Sequence, residues 1–207
     1  MPSIYQLKPA FQGLLRPLVN ALSRRGVTAN QVTIAAVVLA AVVGVAVGCG
    51  ADARVLLLLP LTLLLRMALN AVDGMLAREH GQASKLGAIL NELGDVVADA
   101  AMYLPLALRP GFPSAAIVVF AVLGIIVEMT GVVGVQIGAS RRYDGFGKSD
   151  RALVIGVAGL VLGLGLGGSN LDGLGLVLWL CCVGSILAII TRARRSLAEV
   201  NEKEGAA

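Results

Sequence analysis

Apolar residues fill six long blocks of this chain, at about 32–50, 54–77, 88–108, 114–138, 152–168 and 172–191, with polar residues gathered between them. Each block is close to the roughly 20 residues that carry a helix across hydrocarbon. Backbone inside a bilayer must satisfy its own hydrogen bonds, so blocks of this length predict membrane-spanning helices. One polar set intrudes on the pattern. It reads LNAVDGMLAREHGQASKLGAILNELGDVVAD, from Leu69 to Asp99, across the end of the second block and much of the third. Ahead of the first block, Ile4, Leu7, Phe11, Leu14, Leu15, Leu18 and Leu22 recur at helical spacing, with Lys8, Arg16, Arg24 and Arg25 among them. That is the pattern of an amphipathic helix lying on a membrane surface, and Pro9 and Pro17 predict that it is broken. It lacks the apolar core and small-residue cleavage site of a signal peptide.

Boundary residues refine these elements. Thr28 and Gln31 have capping-box spacing before the first span, and Ser114 and Ser149 are expected to cap the fourth and fifth. Small residues four apart, as in Gly44/Gly48, Gly134/Gly138 and Gly159/Gly163/Gly167, predict seams where helices approach closely, within one bundle in the first reading and at a dimer face in the alternative. No repeat is long enough to be one half of a duplicated transporter.

Composition narrows the class. The 207 residues are 57% hydrophobic and 14% charged, with a mean hydropathy of +0.85, whereas a soluble domain carries about a quarter charged residues. The segments before and between alternate blocks hold Lys8, Arg16, Arg24, Arg25, Arg78, Lys85, Arg141, Arg142, Lys148 and Arg151, and the tail holds Arg192, Arg194, Arg195 and Lys203; the opposite connections hold only Arg54 and Arg109. By the positive-inside rule both termini and both polar loops are expected in the cytoplasm. The expectation is an all-α integral membrane protein of six transmembrane helices with an N-terminal amphipathic surface helix. Its parts would be an interfacial segment over 1–27, a six-helix domain over 28–195 and a polar, frayed tail over 196–207. The basic tail suits anionic lipid headgroups and gives no sign of nucleic-acid binding. Cys49, Cys181 and Cys182 sit in apolar blocks and match no disulfide or metal framework. His80 reads as a solvated loop residue, and Trp179 as lipid-facing or packing.

The candidate chemistry lies in the intruding polar set. Arg66, Asn70, Asp73 and Ala77 fall on one stripe of the second span, and Asn91, Asp95 and Asp99 on one stripe of the third. Glu92 lies toward the edge of the latter. A short loop joins the two spans, so they are expected to be antiparallel neighbours with facing stripes. Charge at such depth marks a reaction site or pathway more often than decoration. A salt bridge of Arg66 with Asp99 or Glu128 that only holds helices together is the alternative for those residues. Clustered carboxylate and amide oxygens suit a hard cation such as Mg²⁺ or Mn²⁺, which at a cytoplasmic surface meets phosphate or diphosphate.

The run Asn70-x2-Asp73-Gly74-x2-Ala77-Arg78-x8-Gly87-x3-Asn91-x3-Asp95 resembles the signature of the CDP-alcohol phosphotransferase family, D-x2-DG-x2-AR-x8-G-x3-D-x3-D. The spacing agrees throughout, and Asn70 and Asn91 stand where the family has aspartate. TANQVT resembles the family's T-P-N-x-x-T before its first span, with Ala29 for proline. The resemblance implies a homodimeric six-span inner-membrane enzyme that cleaves a CDP-alcohol such as CDP-diacylglycerol. The phospho-alcohol passes to a hydroxyl acceptor, phosphorylated in some members, and CMP leaves. Asn70, Asp73, Asn91 and Asp95 would line a site for one or two ions of Mg²⁺ or Mn²⁺, with Asp95 the base. Asp73, Gly74, Ala77, Arg78 and Gly87 would hold the CDP, and Arg142, Lys148 and Arg151 the acceptor. The two asparagines leave three readings open. Glu92 and Asp99 restore the missing charge, one ion suffices, or the chain is a non-catalytic binder of a CDP-lipid or metal. A transporter is disfavoured, because its acids belong near mid-membrane.

Overall fold

A computed structural model describes residues 4–50, 52–141, 143–166 and 171–205. Seven α-helices account for most of them: α1 (Ile4–Arg24), α2 (Ala29–Cys49), α3 (Leu58–Glu79), α4 (Lys85–Tyr103), α5 (Ser114–Gln136), α6 (Lys148–Gly163) and α7 (Leu171–Gly205). Short 3₁₀ turns at Ala53–Leu57 and Leu104–Leu108 precede α3 and follow α4. Among the described residues there is no strand.

The predicted box at the start of α2 is present. Gln31 N–H donates to Thr28 Oγ1 at 3.2 Å, and Thr28 N–H donates to Gln31 Oε1 at 2.9 Å. The other two serines do something else. Ser114 is the first residue of α5, and its hydroxyl donates to the Ala107 carbonyl at 2.7 Å. At α6 the cap is Gly147, whose N–H donates to Asp150 at 2.8 Å. A carboxylate three residues into the helix serves that donor better than the Ser149 hydroxyl beside it. α1 runs unbroken through Pro9 and Pro17. Gly13, four residues before Pro17, has nothing packed on it, so the turn can open around the ring without ending the helix. α7 likewise continues through the expected frayed tail, held by Lys203 Nζ donating to the Gly138 carbonyl at 2.9 Å. His80 is half-buried, 3.1 Å from Asn20 Oδ1.

Among the described residues, four helical stretches are long and apolar enough to cross a membrane: Ala29–Cys49, Ala53–Glu79, Ser114–Gln136 and Asp172–Gly205. α4, 19 residues with Lys85, Glu92, Asp95 and Asp99, and α6, 16 residues, are the two shortest α-helices. The main packing is α2 against α4, α5 against α7 and α2 against α3. Glycine permits the first: a Cβ on Gly44 would overlap the Ala101 carbonyl, and one on Gly48 would lie 2.7 Å from Pro105 Cβ. Gly159 similarly brings α6 onto Leu56.

The expected facing of the α3 and α4 stripes is present, with one feature that the packing adds. α3 and α4 are consecutive, yet they are not a close-packed pair; α2 lies against both. The five-residue connection over 80–84 ties their ends together and holds the start of α2, with Gln82 accepting from the Ala29 N–H at 2.7 Å and donating to the Val27 carbonyl at 3.3 Å. Facing stripes that carry arginine and carboxylates cannot interdigitate as apolar side chains do, so they stand off and meet through long polar groups. The result is a polar gap backed by α2.

Candidate active site

Arg66 and Asn70 on α3 reach across that gap to α4. Arg66 Nη1 donates to Asp99 Oδ1 at 2.8 Å, and Asn70 Nδ2 donates to Asp95 Oδ1 at 3.0 Å. The two pairs step in opposite directions along their helices, as antiparallel neighbours require. Asp73, one turn nearer the 80–84 loop, is buried and accepts from Thr33 Oγ1 of α2 at 2.8 Å. α6 supplies the third side. Its first residue, Lys148, is ion-paired through Nζ with Asp95 Oδ1, and Arg66 Nη2 lies 3.9 Å from the same oxygen. One carboxylate oxygen thus meets an amide, an ammonium and a guanidinium.

Beyond the gap, Glu128 of α5 sits among three arginines. Arg151 Nη2 is 3.1 Å from it, Arg141 Nη2 3.6 Å and Arg192 Nη1 3.8 Å. Arg151 and Arg192 are each only 1% exposed. Arg192 also donates to the carbonyls of Val127 and Asp144, both at 3.0 Å, which ties α7 to α5 and to the loop before α6. Arg151 Nη2 lies 3.9 Å from Asp99 Oδ2 and so joins this cluster to the gap. Guanidinium groups stay charged when buried, so the region is rich in positive charge. Arg66 Nη2, Arg151 Nη1 and the Tyr103 hydroxyl are buried without a hydrogen-bond partner.

The remaining sequence candidates are distributed around this core. Glu92 accepts from Arg141 Nη2 at 2.8 Å, and Asp99 is held by Arg66, so each has an arginine of its own. Gly74 is covered by the Arg78 guanidinium, which would lie 3.0 Å from a Cβ at that position; Ala77 is half-buried and Arg78 exposed. Gly87 lies against Asn30, 2.9 Å from a Cβ to Oδ1, and donates its N–H to Ser84 at 2.9 Å. Asn91 is exposed on α4. Arg142 lies outside the described residues. Two contributors were not singled out from sequence. Thr33, the last residue of TANQVT, buttresses Asp73. Arg192 shares a buried stripe with Ser185, Ala188 and Ser196, whereas Arg194 and Arg195 are exposed, and that spacing was the available signal.

The donor set decides how much metal the gap suits. Among the described residues no three carboxylate, imidazole or thiolate groups converge as a metal-ligating cluster. The motif offers two carboxylates, Asp73 and Asp95, and two amide oxygens, Asn70 and Asn91, once the Asn70 amide turns. Those are hard oxygen donors whose charge balances one dication and not two.

The sequence profile of the CDP-alcohol phosphatidyltransferase family matches residues 26–190. The chain is 45% identical over 163 residues to the inner membrane protein YnbA of Escherichia coli (strain K12), covering 78% of this chain and 81% of that one. In fold it is similar to Mycobacterium tuberculosis phosphatidylinositol phosphate synthase (PgsA1). Against the structure with CDP-DAG bound, the TM-score is 0.71 at 20% identity, over 89% of this chain and 92% of that one. Against the complex with manganese and citrate it is 0.69 at 19% identity, over 87% and 88%.

Proposed function

We propose, from the premise that this chain belongs to the CDP-alcohol phosphatidyltransferase family, that it transfers a phosphatidyl group from CDP-diacylglycerol or a related CDP-alcohol to a hydroxyl acceptor. The observation that carries the reading is the gap between α3 and α4, where Asn70, Asp73 and Asp95 stand together behind Gly74 and Arg78. The reaction runs in phospholipid synthesis at the inner membrane. All six long elements after α1 cross the bilayer, α1 lies on its surface, and both termini and the gap face the cytoplasm. The span assignment extends to α4 and α6 because Asp95, Asp99 and Arg151 turn into the bundle, where intramembrane charge is tolerated. The working unit is a homodimer, and the domain boundaries are those expected from sequence.

Asp95 takes the proton from the acceptor hydroxyl. The freed oxygen bonds to the phosphorus of the phospho-alcohol, the P–O bond to CMP breaks, and CMP leaves with the electron pair. Asn70, Asp73, Asn91 and Asp95 would hold a Mg²⁺ or Mn²⁺ ion, which would neutralise diphosphate charge. Gly74, Ala77 and Gly87 leave room for the nucleotide, and Arg78 swings from Gly74 to meet it. Arg142, Lys148 and Arg151 form the acceptor side, suited to a phosphorylated alcohol. Purified protein is expected to release CMP from CDP-diacylglycerol with Mg²⁺ or Mn²⁺ and to stop on chelation. No release across a panel of hydroxyl acceptors, with and without a phosphate, would sink the reading. The absent carboxylates at positions 70 and 91 favour one rival, a family member that binds a CDP-lipid or metal without turnover.

A further inference from the structure

The charge around Asp95 departs from what two bound dications need. Two neighbouring acids, Glu92 and Asp99, have the right sign to replace the charge missing at Asn70 and Asn91. Both are already committed: Glu92 to Arg141 at 2.8 Å, and Asp99 to Arg66 at 2.8 Å with Arg151 at 3.9 Å. They bring no net negative charge to the gap. Asp95 Oδ1 instead receives the Lys148 ammonium, with the Asn70 amide at 3.0 Å and Arg66 Nη2 at 3.9 Å. Lys148 is fixed there by its position, as the first residue of a helix whose start is pinned by the Gly147–Asp150 bond at 2.8 Å.

We infer that the Lys148 ammonium takes the place of a second dication beside Asp95, so that this chain engages a diphosphate with one divalent cation and one lysine. The inference rests on the donor site proposed above and gives Lys148 a task on the donor side in addition to the acceptor side. The chemistry is consistent. An ammonium presents three donors to diphosphate oxygens and needs one compensating negative charge where a dication needs two, so one dication and one lysine call for three, two of them from Asp73 and Asp95 and the third from the diphosphate itself. Asparagine at 70 and 91 then belongs with lysine at 148. Amides remain neutral donors or ligands and add no charge that the single cation would leave unbalanced.

The test is manganese titration of the purified full-length protein, followed by electron paramagnetic resonance, with CDP as the probe and no acceptor. The wild-type protein is expected to bind one Mn²⁺ per chain. Lys148→Met removes a positive charge next to a ligand and should tighten that Mn²⁺ at least about fivefold, while Lys148→Arg keeps the wild-type affinity. The triple variant Asn70→Asp/Asn91→Asp/Lys148→Met should bind two. A lysine that serves only an acceptor phosphate would leave Mn²⁺ affinity unchanged in this assay, and that result overturns the inference. Two Mn²⁺ ions on the wild-type protein also overturn it, and with CMP release intact they leave the transferase reading standing. No Mn²⁺ bound overturns it as well, and CMP release measured alongside then decides whether the transferase reading falls with it.

Discussion

Glu128 shows how a single carboxylate can hold a membrane bundle together. It faces Arg151 at 3.1 Å, Arg141 at 3.6 Å and Arg192 at 3.8 Å, and two of these arginines are almost wholly buried. Breaking a buried charge cluster by removing one partner costs about 3–5 kcal/mol, because the remaining charges stay desolvated. Glu128→Gln is therefore expected to lower the thermal unfolding midpoint in detergent sharply. A midpoint within a degree or two of wild type would show that the cluster is hydrated and structurally idle. Asn70 and Asn91 call for the opposite experiment. Restoring aspartate at both is expected to raise Mn²⁺ affinity at least tenfold, roughly 1.4 kcal/mol, read by titration. If turnover is absent in the natural protein and arises only in this double variant, the rival reading of a non-catalytic binder holds. The facing of residues 70 and 95 was legible from four-residue spacing on two helices joined by a short loop. The role of Arg192 was not, because three arginines after a hydrophobic block read first as a topological signal. Only its place on the Ser185–Ala188–Arg192–Ser196 stripe separates it from its neighbours.

The seam between α2 and α4 positions everything else, since it puts α2 behind the gap and keeps α3 and α4 apart. It depends on Gly44, where a side chain would collide with backbone at Ala101 rather than with a movable group. Gly44→Leu is expected to destabilise the fold by about 1–3 kcal/mol or more, read as a lowered unfolding midpoint and weaker protein recovery after detergent extraction. Retained stability would mean that the seam opens without penalty. Small residues at four-residue spacing made this seam visible in the sequence, as the Thr28–Gln31 spacing did for the start of α2. What spacing could not say was which helix would sit beside which. Nothing in the spacing excluded close packing of the consecutive helices α3 and α4. Their own polar stripes prevent it, and the small residues of α2 win the contact with α4. The caps at Ser114 and Ser149 failed for a local reason: each has a better-placed competitor, an upstream carbonyl for the Ser114 hydroxyl and the Asp150 carboxylate for Gly147.

Across the molecule, charge and polarity are sorted by end. Lys148, Arg141, Arg192 and the 80–84 loop gather at one end of the bundle, and Arg109 donates to the Val47 and Gly50 carbonyls at the other, at 2.8 and 2.7 Å. If the proposed topology holds, Tyr143→Cys in a cysteine-free background reacts with a membrane-impermeant thiol reagent only after the cytoplasmic face is opened, whereas Asp52→Cys reacts from outside in intact cells. Equal labelling of both from one side would refute six crossings. Under the proposed function, the α3–α4 gap is where a lipid-linked nucleotide and a water-soluble acceptor would meet. The most direct test of that claim is a crystal structure with CDP and Mn²⁺, read by the anomalous signal of manganese. The account predicts a manganese peak in the gap within ligand distance of Asp73 and Asp95, with the diphosphate beside it and the cytidine near Gly74. Nucleotide bound elsewhere, with no manganese between those two aspartates, would contradict it.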